Sequence, residues 1–280
     1  LKKNRFYYQL YSCFFFSILG LQIKLLAENL TIETIIFYRS IIGTILIFIF
    51  IFLTEKSNFS FQAFKFHFFR SIFGVLAMFF GYKALTILTL AQASTLGFTK
   101  VFFTSLLATI MLKEKILIKN FFLIFLGFIG VFLIAQPSKT HEFIGIFYSI
   151  TSSICVSFGI IIVSFLTKNN KTVNILFYHS LISSILIFFL FYENITFKIS
   201  SYLIPVIFLT LTAIIGQYFN TESYKNNKAN IIVIASYSRI IFSTFLGFIF
   251  LNEDLRLLTL FGIIVVIIST FFVQNDSKKN

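Results

Sequence analysis

Residues 70–116 read RSIFGVLAMFFGYKALTILTLAQASTLGFTKVFFTSLLATIMLKEKI, and they contain long apolar runs separated by a short connection. Apart from Lys83 and Lys100, the stretch carries no charge between its first residue and its last four residues. A helix of about 20 apolar residues crosses the hydrocarbon core of a bilayer, which is about 30 Å thick. The apolar runs at 66–85 and 90–112 therefore predict two membrane-spanning helices joined by a tight turn.

The same pattern continues along the whole chain of 280 residues, of which 58% are hydrophobic and 12% are charged. A soluble domain carries about 25% charged residues, so this composition excludes a soluble single-core protein. Ten apolar runs of about 20 residues occupy on the order of 200 positions, which leaves no room for a separate soluble domain. The predicted fold is an all-α integral membrane protein with ten transmembrane helices. The predicted spans are 7–26, 32–53, 66–85, 90–112, 118–135, 143–166, 173–192, 202–221, 229–251 and 257–273.

The formal net charge of +13 is explained by the distribution of Lys and Arg around these spans. A soluble protein with such a basic excess suggests nucleic-acid binding, whereas membrane proteins accumulate Lys and Arg in their cytoplasmic loops. With the N-terminus inside, the predicted outer loops hold only Lys24, Lys139, Lys198 and Arg256. We therefore predict a multi-pass protein of the cytoplasmic (inner) membrane, with both termini in the cytoplasm and with no nucleic-acid partner.

The two halves of the chain resemble each other. Residues 37–40 (FYRS) match residues 177–180 (FYHS), and residues 98–100 (FTK) match residues 237–239 (YSR) at nearly the same offset. Each half holds five spans, an odd number, so the halves must have opposite orientations in the membrane. Inverted repeats of this kind are typical of secondary transporters. The predicted five-helix repeats are residues 1–137 and 138–280.

These motifs resemble those of the EamA-type transporters of the drug/metabolite transporter superfamily. The resemblance covers nearly the whole chain and is best at residues 70–116, with an Arg, an Ala-Leu helix end, an Ala-x-Ala turn, a Phe-Thr pair and a helix that ends in Glu. Val101 departs from the family pattern, which usually has a proline at this position. The resemblance implies ten helices in two inverted repeats and the carriage of a small metabolite. Members of the family carry amino acids, S-adenosylmethionine, riboflavin, metallophores or drugs, in either direction.

Five cations fall within predicted spans, where a charge costs about 2.5 to 3.5 kcal/mol at the bilayer centre and commonly faces a cavity or a bundle interior. Lys100 and Arg239 occupy matching positions in the repeats, and we expect them to bind the carboxylate or phosphate of a solute. The alternative is that they bind backbone carbonyls or an acid elsewhere in the bundle. Arg39 is a further candidate for substrate contact, whereas Arg70, near the start of its span, is interpreted as a positive-inside anchor. The fifth cation is Lys83.

Several other polar side chains complete the predicted site. Lys83 and Glu222 are equivalent in the repeats and are candidates for a gate or coupling ion pair across the symmetry axis, with snorkelling to the interface as the alternative. His179 stands where the first repeat has an arginine, and it is either a proton-coupling residue or a hydrogen-bonded packing residue. Glu114 and Glu253 match the helix-ending Glu of the family and are interpreted as structural or gate elements. The uncharged candidates for ligand binding are Gln92, Gln217, Tyr218, Asn220, Ser236 and Tyr237.

The sequence shows no glycine-rich phosphate loop and no Cys or His spacing typical of a metal site, so we expect no enzyme activity, no metal and no other cofactor. The predicted function is a secondary transporter, or permease, that moves a small polar, anionic or zwitterionic metabolite across the cytoplasmic membrane by alternating access. An exporter of amino acids or hydrophobic drugs is the alternative. A non-transporting membrane assembly partner or a lipid-processing enzyme is a remote one. The expected partners are the solute and the lipid bilayer, and a homodimer is left open.

Overall fold

All regular secondary structure is helical in the part of the chain that the computed structural model describes. That part comprises residues 6–54, 63–113, 118–135 and 142–253, with scattered positions between 257 and 268. Short 3₁₀ helices at Tyr192–Asn194 and Ser200–Tyr202 lie between α8 and α9. The α-helices are α1 (Phe6–Leu26), α2 (Ile32–Thr54), α3 (Phe64–Ile87), α4 (Leu90–Leu96), α5 (Thr99–Met111), α6 (Ile118–Ala135), α7 (Glu142–Leu166), α8 (Thr172–Phe191), α9 (Leu203–Tyr224), α10 (Ala229–Ala235) and α11 (Ser238–Leu251).

Eight helical segments of the described residues are long and apolar enough to cross a membrane. This finding confirms the all-helical membrane class that the composition predicts. Helix α6 has the bounds of the predicted fifth span, whereas much of the predicted tenth span, 257–273, lies outside the described residues. The count of ten helices therefore stays a prediction.

The bundle is apolar on its surface and polar in parts of its interior. Phe52 and Phe189 on the outside are 80% and 79% exposed, whereas Thr34, Ser71 and Thr104 are buried. Helix α1 packs against α9 and α11, and α3 packs against α7 and α8, so helices from the two halves of the chain interlock. An outer face of this kind suits hydrocarbon, and the polar side chains inside are available to bind backbone groups or a ligand.

The predicted fourth and ninth spans are each broken into two helices. The breaks lie at residues 97–98, between α4 and α5, and at residues 236–237, between α10 and α11. At both breaks the backbone adopts the tighter i→i−3 hydrogen bonding of a 3₁₀ turn; the Val101 N–H, for example, donates to the Phe98 carbonyl at 2.8 Å. A proline at position 101, as is usual in the family, would lack this donor. The chain therefore forms its first break without a proline.

A stripe of serines on α7 supports the break between α4 and α5. Ser149, Ser153 and Ser157 follow an i, i+4 spacing and so share one face of the helix. The Ser153 hydroxyl donates to the Gly97 carbonyl at 3.0 Å and the Ser157 hydroxyl to the Lys100 carbonyl at 3.1 Å, while Ser149 binds the same backbone one turn earlier. Side chains from the second half of the chain thus satisfy carbonyls of the first half.

A matching stripe on α1 supports the break between α10 and α11. Gln9 donates to the Ser236 hydroxyl at 3.0 Å, and the Cys13 thiol donates to the Ser236 carbonyl at 3.6 Å. The Ser17 hydroxyl donates to the Arg239 carbonyl at 3.2 Å. These three side chains also follow an i, i+4 spacing, so the support is reciprocal: each half supplies the stripe that the broken helix of the other half requires.

A charged cluster joins the ends of α1, α3, α4 and α11. The carboxylate of Glu253, just after α11, accepts a hydrogen bond from the Leu90 N–H at 2.7 Å and forms an ion pair with Lys24 at 3.1 Å. Lys24 also donates to the Leu88 carbonyl at 2.8 Å. Because the first N–H groups of a helix have no acceptor within it, Glu253 caps α4. Its repeat counterpart, Glu114, lies outside the described residues.

We predict that Glu253→Ala lowers the melting temperature of the detergent-purified protein. The variant leaves the first amide of α4 without its acceptor and removes the carboxylate partner of Lys24, which keeps only the Leu88 carbonyl, a loss of about 1 to 3 kcal/mol. Glu193→Ala is the matched control, because Glu193 is exposed in a connecting segment and should leave the melting temperature unchanged. Equal melting temperatures for the two variants would contradict the capping role.

Candidate functional site

The helices enclose a central cavity of about 220 Å³. Four cations line it, each from a different helix: Arg39 of α2, Arg70 of α3, Lys100 of α5 and Arg239 of α11. None of the described residues in its wall is acidic. The cavity is therefore a strongly positive environment inside an apolar bundle, and its low-dielectric walls strengthen the field on any ion within it.

Lys100 and Arg239 lie in the first turns of the second segments of the two broken helices, and they bring two like charges into one cavity. Lys100 Nζ lies 4.8 Å from the centroid of the Phe98 ring, and Arg239 Cζ lies 5.6 Å from that of the Phe16 ring. The Arg239 Nε is buried and has no hydrogen-bond partner among the described residues. Ring contacts offset only part of the desolvation of two like charges, so the pair retains the capacity to bind an anion.

Arg39 and Arg70 form a second cationic region of the wall. Arg39 Nη1 donates to the Tyr82 hydroxyl at 2.8 Å and contacts the Met78 sulfur. Arg70 is close enough to Arg39 for their charges to repel, and its Nε is buried without a hydrogen-bond partner in the described part of the chain. The sequence predicts Arg70 to be a membrane-surface anchor, whereas the structure places it in the cavity wall. Tyr82 is a second wall residue that sequence reasoning missed.

Two glycines create the space that the Arg70 guanidinium occupies. A Cβ atom at Gly74 would lie 3.0 Å from Arg70 Nη1 and would collide with the His179 ring. A Cβ atom at Gly159, on α7, would lie 3.6 Å from Arg70 Nη1. Gly74 follows Arg70 by one helical turn, and this spacing of an arginine and a glycine was the available sequence signal for an inward-facing side chain.

The uncharged candidates divide between the cavity and its surroundings. Gln217 and Asn220 line the cavity, as does the predicted coupling residue His179. Gln92 lies instead at the start of α4, where its side chain accepts a hydrogen bond from the Thr89 N–H at 3.1 Å in a capping box. Tyr218 is 39% exposed and does not line the cavity. No group of three His, Cys, Asp or Glu side chains in the described residues is placed to hold a metal ion.

Ser236 and Tyr237 form the break between α10 and α11 and do not line the cavity. The Tyr237 hydroxyl donates to the Ile124 carbonyl at 3.3 Å, and its ring lies so close to Gly127 that a Cβ atom there would be 2.5 Å from Tyr237 Cζ. The hydroxyl and the carbonyl of Ser236 accept hydrogen bonds from Gln9 and Cys13 of α1. Both residues neighbour Arg239 in sequence, but the tight turn directs their side chains away from its guanidinium.

Lys83 and Glu222 each contact a residue of their own half rather than each other. Lys83 Nζ lies 3.2 Å from Glu33 Oε1, and Glu222 accepts a hydrogen bond from the Thr172 hydroxyl. The structure therefore does not form the ion pair across the axis that the repeat suggested. In the predicted topology α3 and α9 run in opposite directions, so their C-terminal ends reach opposite faces of the membrane. Lys83 and Glu222 lie at those two ends.

We predict that Gly74→Ala lowers the melting temperature because the added methyl group displaces Arg70 and His179 in a packed wall. Overpacking of this kind costs about 1 to 3 kcal/mol. Gly43→Ala is the matched control, because a Cβ atom there would lie 3.5 Å from the Ser180 hydroxyl oxygen, an ordinary contact. Thermal unfolding of both purified variants checks this, and an equally stable Gly74 variant would argue against the tight fit.

The family and the fold are shown by similarity to known proteins. The sequence model of the EamA-like transporter family matches residues 6–136 and 143–274. A pseudopaline exporter of Pseudomonas aeruginosa is 22% identical over 95% of this chain and 94% of that protein. An uncharacterized transporter of Helicobacter pylori is 27% identical over 92% and 90%, and an S-adenosylmethionine uptake transporter of Rickettsia bellii is 23% identical over 73% and 72%.

A solved crystal structure has the same fold, with a TM-score of 0.75, 13% sequence identity, and coverage of 100% of this chain and 99% of that one. Since the family matches nearly the whole chain and the described helices form a membrane bundle around a polar cavity, this protein is a membrane transporter that belongs to the EamA-like transporter family.

Proposed function

We propose that this transporter moves a small anionic or zwitterionic metabolite across the cytoplasmic membrane as a secondary carrier. The observation that carries the proposal is the cavity lined by four cations, with no acidic side chain among the described residues of its wall. At about 2.5 to 3.5 kcal/mol each, four charges at mid-membrane represent on the order of 10 kcal/mol. A bound anion would recover part of that free energy.

The excess of Lys and Arg in the predicted inner loops supports a cytoplasmic position for both termini. The arrangement of the cavity wall supports inverted repeats at residues 1–137 and 138–280. Broken helices at equivalent positions of the two halves also support it, because discontinuous helices build the central sites of many secondary transporters. Rocking of the repeats about the cavity would then open it to each side in turn. Wall residues occur in pairs that are 139 or 140 positions apart: Phe16 with Val156, Arg39 with His179, Met78 with Gln217, and Lys100 with Arg239.

Five residues of the cavity wall have assigned roles in this proposal. Lys100 and Arg239 pair with an anionic group, Arg39 contributes a further positive charge, and Gln217 orients the solute through its amide. His179 is the candidate for coupling because it is the titratable imidazole of the wall. Relatives are named for export in one case and uptake in another, so the direction of transport is a matter for experiment. The remaining predicted residues act around the site: Gln92, Tyr218, Ser236, Tyr237, Lys83 and Glu222.

We predict that Lys100→Gln and Arg239→Gln each slow transport about tenfold or more. Losing a hydrogen bond to a charged group corresponds to about 1.5 to 3 kcal/mol. Untargeted comparison of metabolites in deletion and overexpressing cells identifies the solute, and counterflow in proteoliposomes measures its rate. Lys198→Gln is the control, because Lys198 is exposed in a connecting segment. Undiminished counterflow by both cavity variants would contradict the proposed role of these charges.

A further inference from the structure

The cations of the cavity form two separate regions. The first, called here the arginine pole, consists of Arg39 and Arg70, which lie beside His179: a Cβ atom at Gly74 would lie 3.0 Å from Arg70 Nη1 and would meet the His179 ring, and Arg39 and His179 line a common part of the wall. The second, called here the break pole, consists of Lys100 and Arg239, which follow the two helix breaks. The poles come from different helices, so the protein supplies a pair of cations at each of two places in one cavity.

Tyr82 connects the two poles. Its hydroxyl accepts the 2.8 Å hydrogen bond from Arg39, and its side chain lines the same cavity as Arg239. The Tyr82 ring and the side chain of Met78 occupy the wall beside Arg39, and Phe16 and Phe98 lie against the break pole. The side chains that contact the cations are therefore largely aromatic or apolar, and they suit a short carbon chain rather than a third charge.

No described acid is available to neutralise either pole. The ion pairs of Lys24 with Glu253 and of Lys83 with Glu33 lie outside the cavity wall. In the sequence, all ten acidic residues lie between the predicted spans or at their ends. A substrate ammonium group would be a fifth cation without a carboxylate partner, and the rings of Phe16 and Phe98 already face Arg239 and Lys100. The wall therefore disfavours a zwitterion.

We infer that the transported solute carries two anionic groups on a short carbon chain, one bound at the arginine pole and one at the break pole. The shared chemistry is that of a dicarboxylate or of a compound with one carboxylate and one phosphate. This inference rests on the proposed function and narrows it, because it excludes monoanions and zwitterions as preferred substrates. Charge-assisted hydrogen bonds at both poles give the two-ended solute its advantage.

A matched series of probes tests the inference on the unmodified full-length protein in detergent, with its melting temperature and equilibrium binding as the readouts. Glutarate carries two carboxylates, glutaramate replaces one of them by an amide, and glutamate adds an ammonium to the glutarate skeleton. We expect glutarate to bind about tenfold or more tightly than glutaramate or glutamate, since each lacks or opposes one charge-assisted contact. Binding of 3-phosphoglycerate in preference to glutarate would support the inference and assign a phosphate to one pole.

Three results would overturn the inference: equal binding of glutaramate and glutarate, equal binding of glutamate and glutarate, or no response to any dianion at millimolar concentration. Arg70→Gln and Lys100→Gln test the two poles one at a time. Each should reduce the preference for glutarate over glutaramate to near unity, whereas Lys198→Gln should keep it. A preference that survives both cavity variants would also overturn the assignment of one anionic group to each pole.

The outcomes separate this inference from the proposed function. If counterflow shows that a zwitterionic amino acid is carried and that Lys100→Gln abolishes its transport, the carrier function holds and the two-pole inference fails. If no solute shows counterflow but glutarate binds selectively, the binding site holds and the carrier function fails. The probe series uses only the unmodified protein, so it tests the two-pole inference even if Arg70→Gln is unstable.

Discussion

The structure depends on one constraint of the membrane interior: backbone carbonyls and amides must find their partners within the protein. An unbroken helix meets this requirement alone, but the two broken helices do not. Polar stripes on α1 and α7 supply further hydrogen bonds to carbonyls around the breaks, each to the broken helix of the opposite half. The breaks in turn place Lys100 and Arg239 in the cavity wall. The position of the candidate site thus follows from the way the backbone is satisfied around it.

The six cations described above fall into two classes, according to whether a carboxylate lies near them. Lys24 and Lys83 lie at helix ends and pair with carboxylates, so they fasten neighbouring helices together. The four cavity cations have no carboxylate in the described part of the wall, and their partners are rings, a phenol and a thioether. Buried charges that the protein itself leaves uncompensated are the ones most able to respond to a ligand.

Much of this arrangement could be predicted from the sequence, because hydropathy and intramembrane charge are strong signals. They indicated the membrane class and the cationic residues Lys100, Arg239 and Arg39, all of which line the cavity. The position of Arg70 was missed because depth along a span does not tell which way a long side chain extends. The spacing of Arg70 and Gly74 was a signal in the sequence, but the other glycine beside the guanidinium, Gly159, belongs to a distant helix, and its approach is not visible in a linear pattern.

Three residues that the sequence predicts to bind the ligand do not line the cavity. Gln92, Ser236 and Tyr237 are close to Lys100 or Arg239 in sequence, but helix caps and the 3₁₀ turn direct them elsewhere. The break at residues 97–98 could not be foreseen, since Val101 stands in place of the family proline and the tight turn forms through a backbone hydrogen bond. By contrast, the α1 and α7 stripes are 140 positions apart in the sequence, but spacing alone does not reveal that they bind carbonyls of the other half.

The reciprocal stripes impose an order on the assembly of the chain. The first broken helix, residues 90–111, is synthesised before residues 149–157, so its hydrogen bonds with the serines of α7 can form only after α7 has been made. The second broken helix, residues 229–251, emerges when the stripe of α1 is already in place. The first half of the chain therefore acquires these hydrogen bonds at its break only after the second half supplies α7.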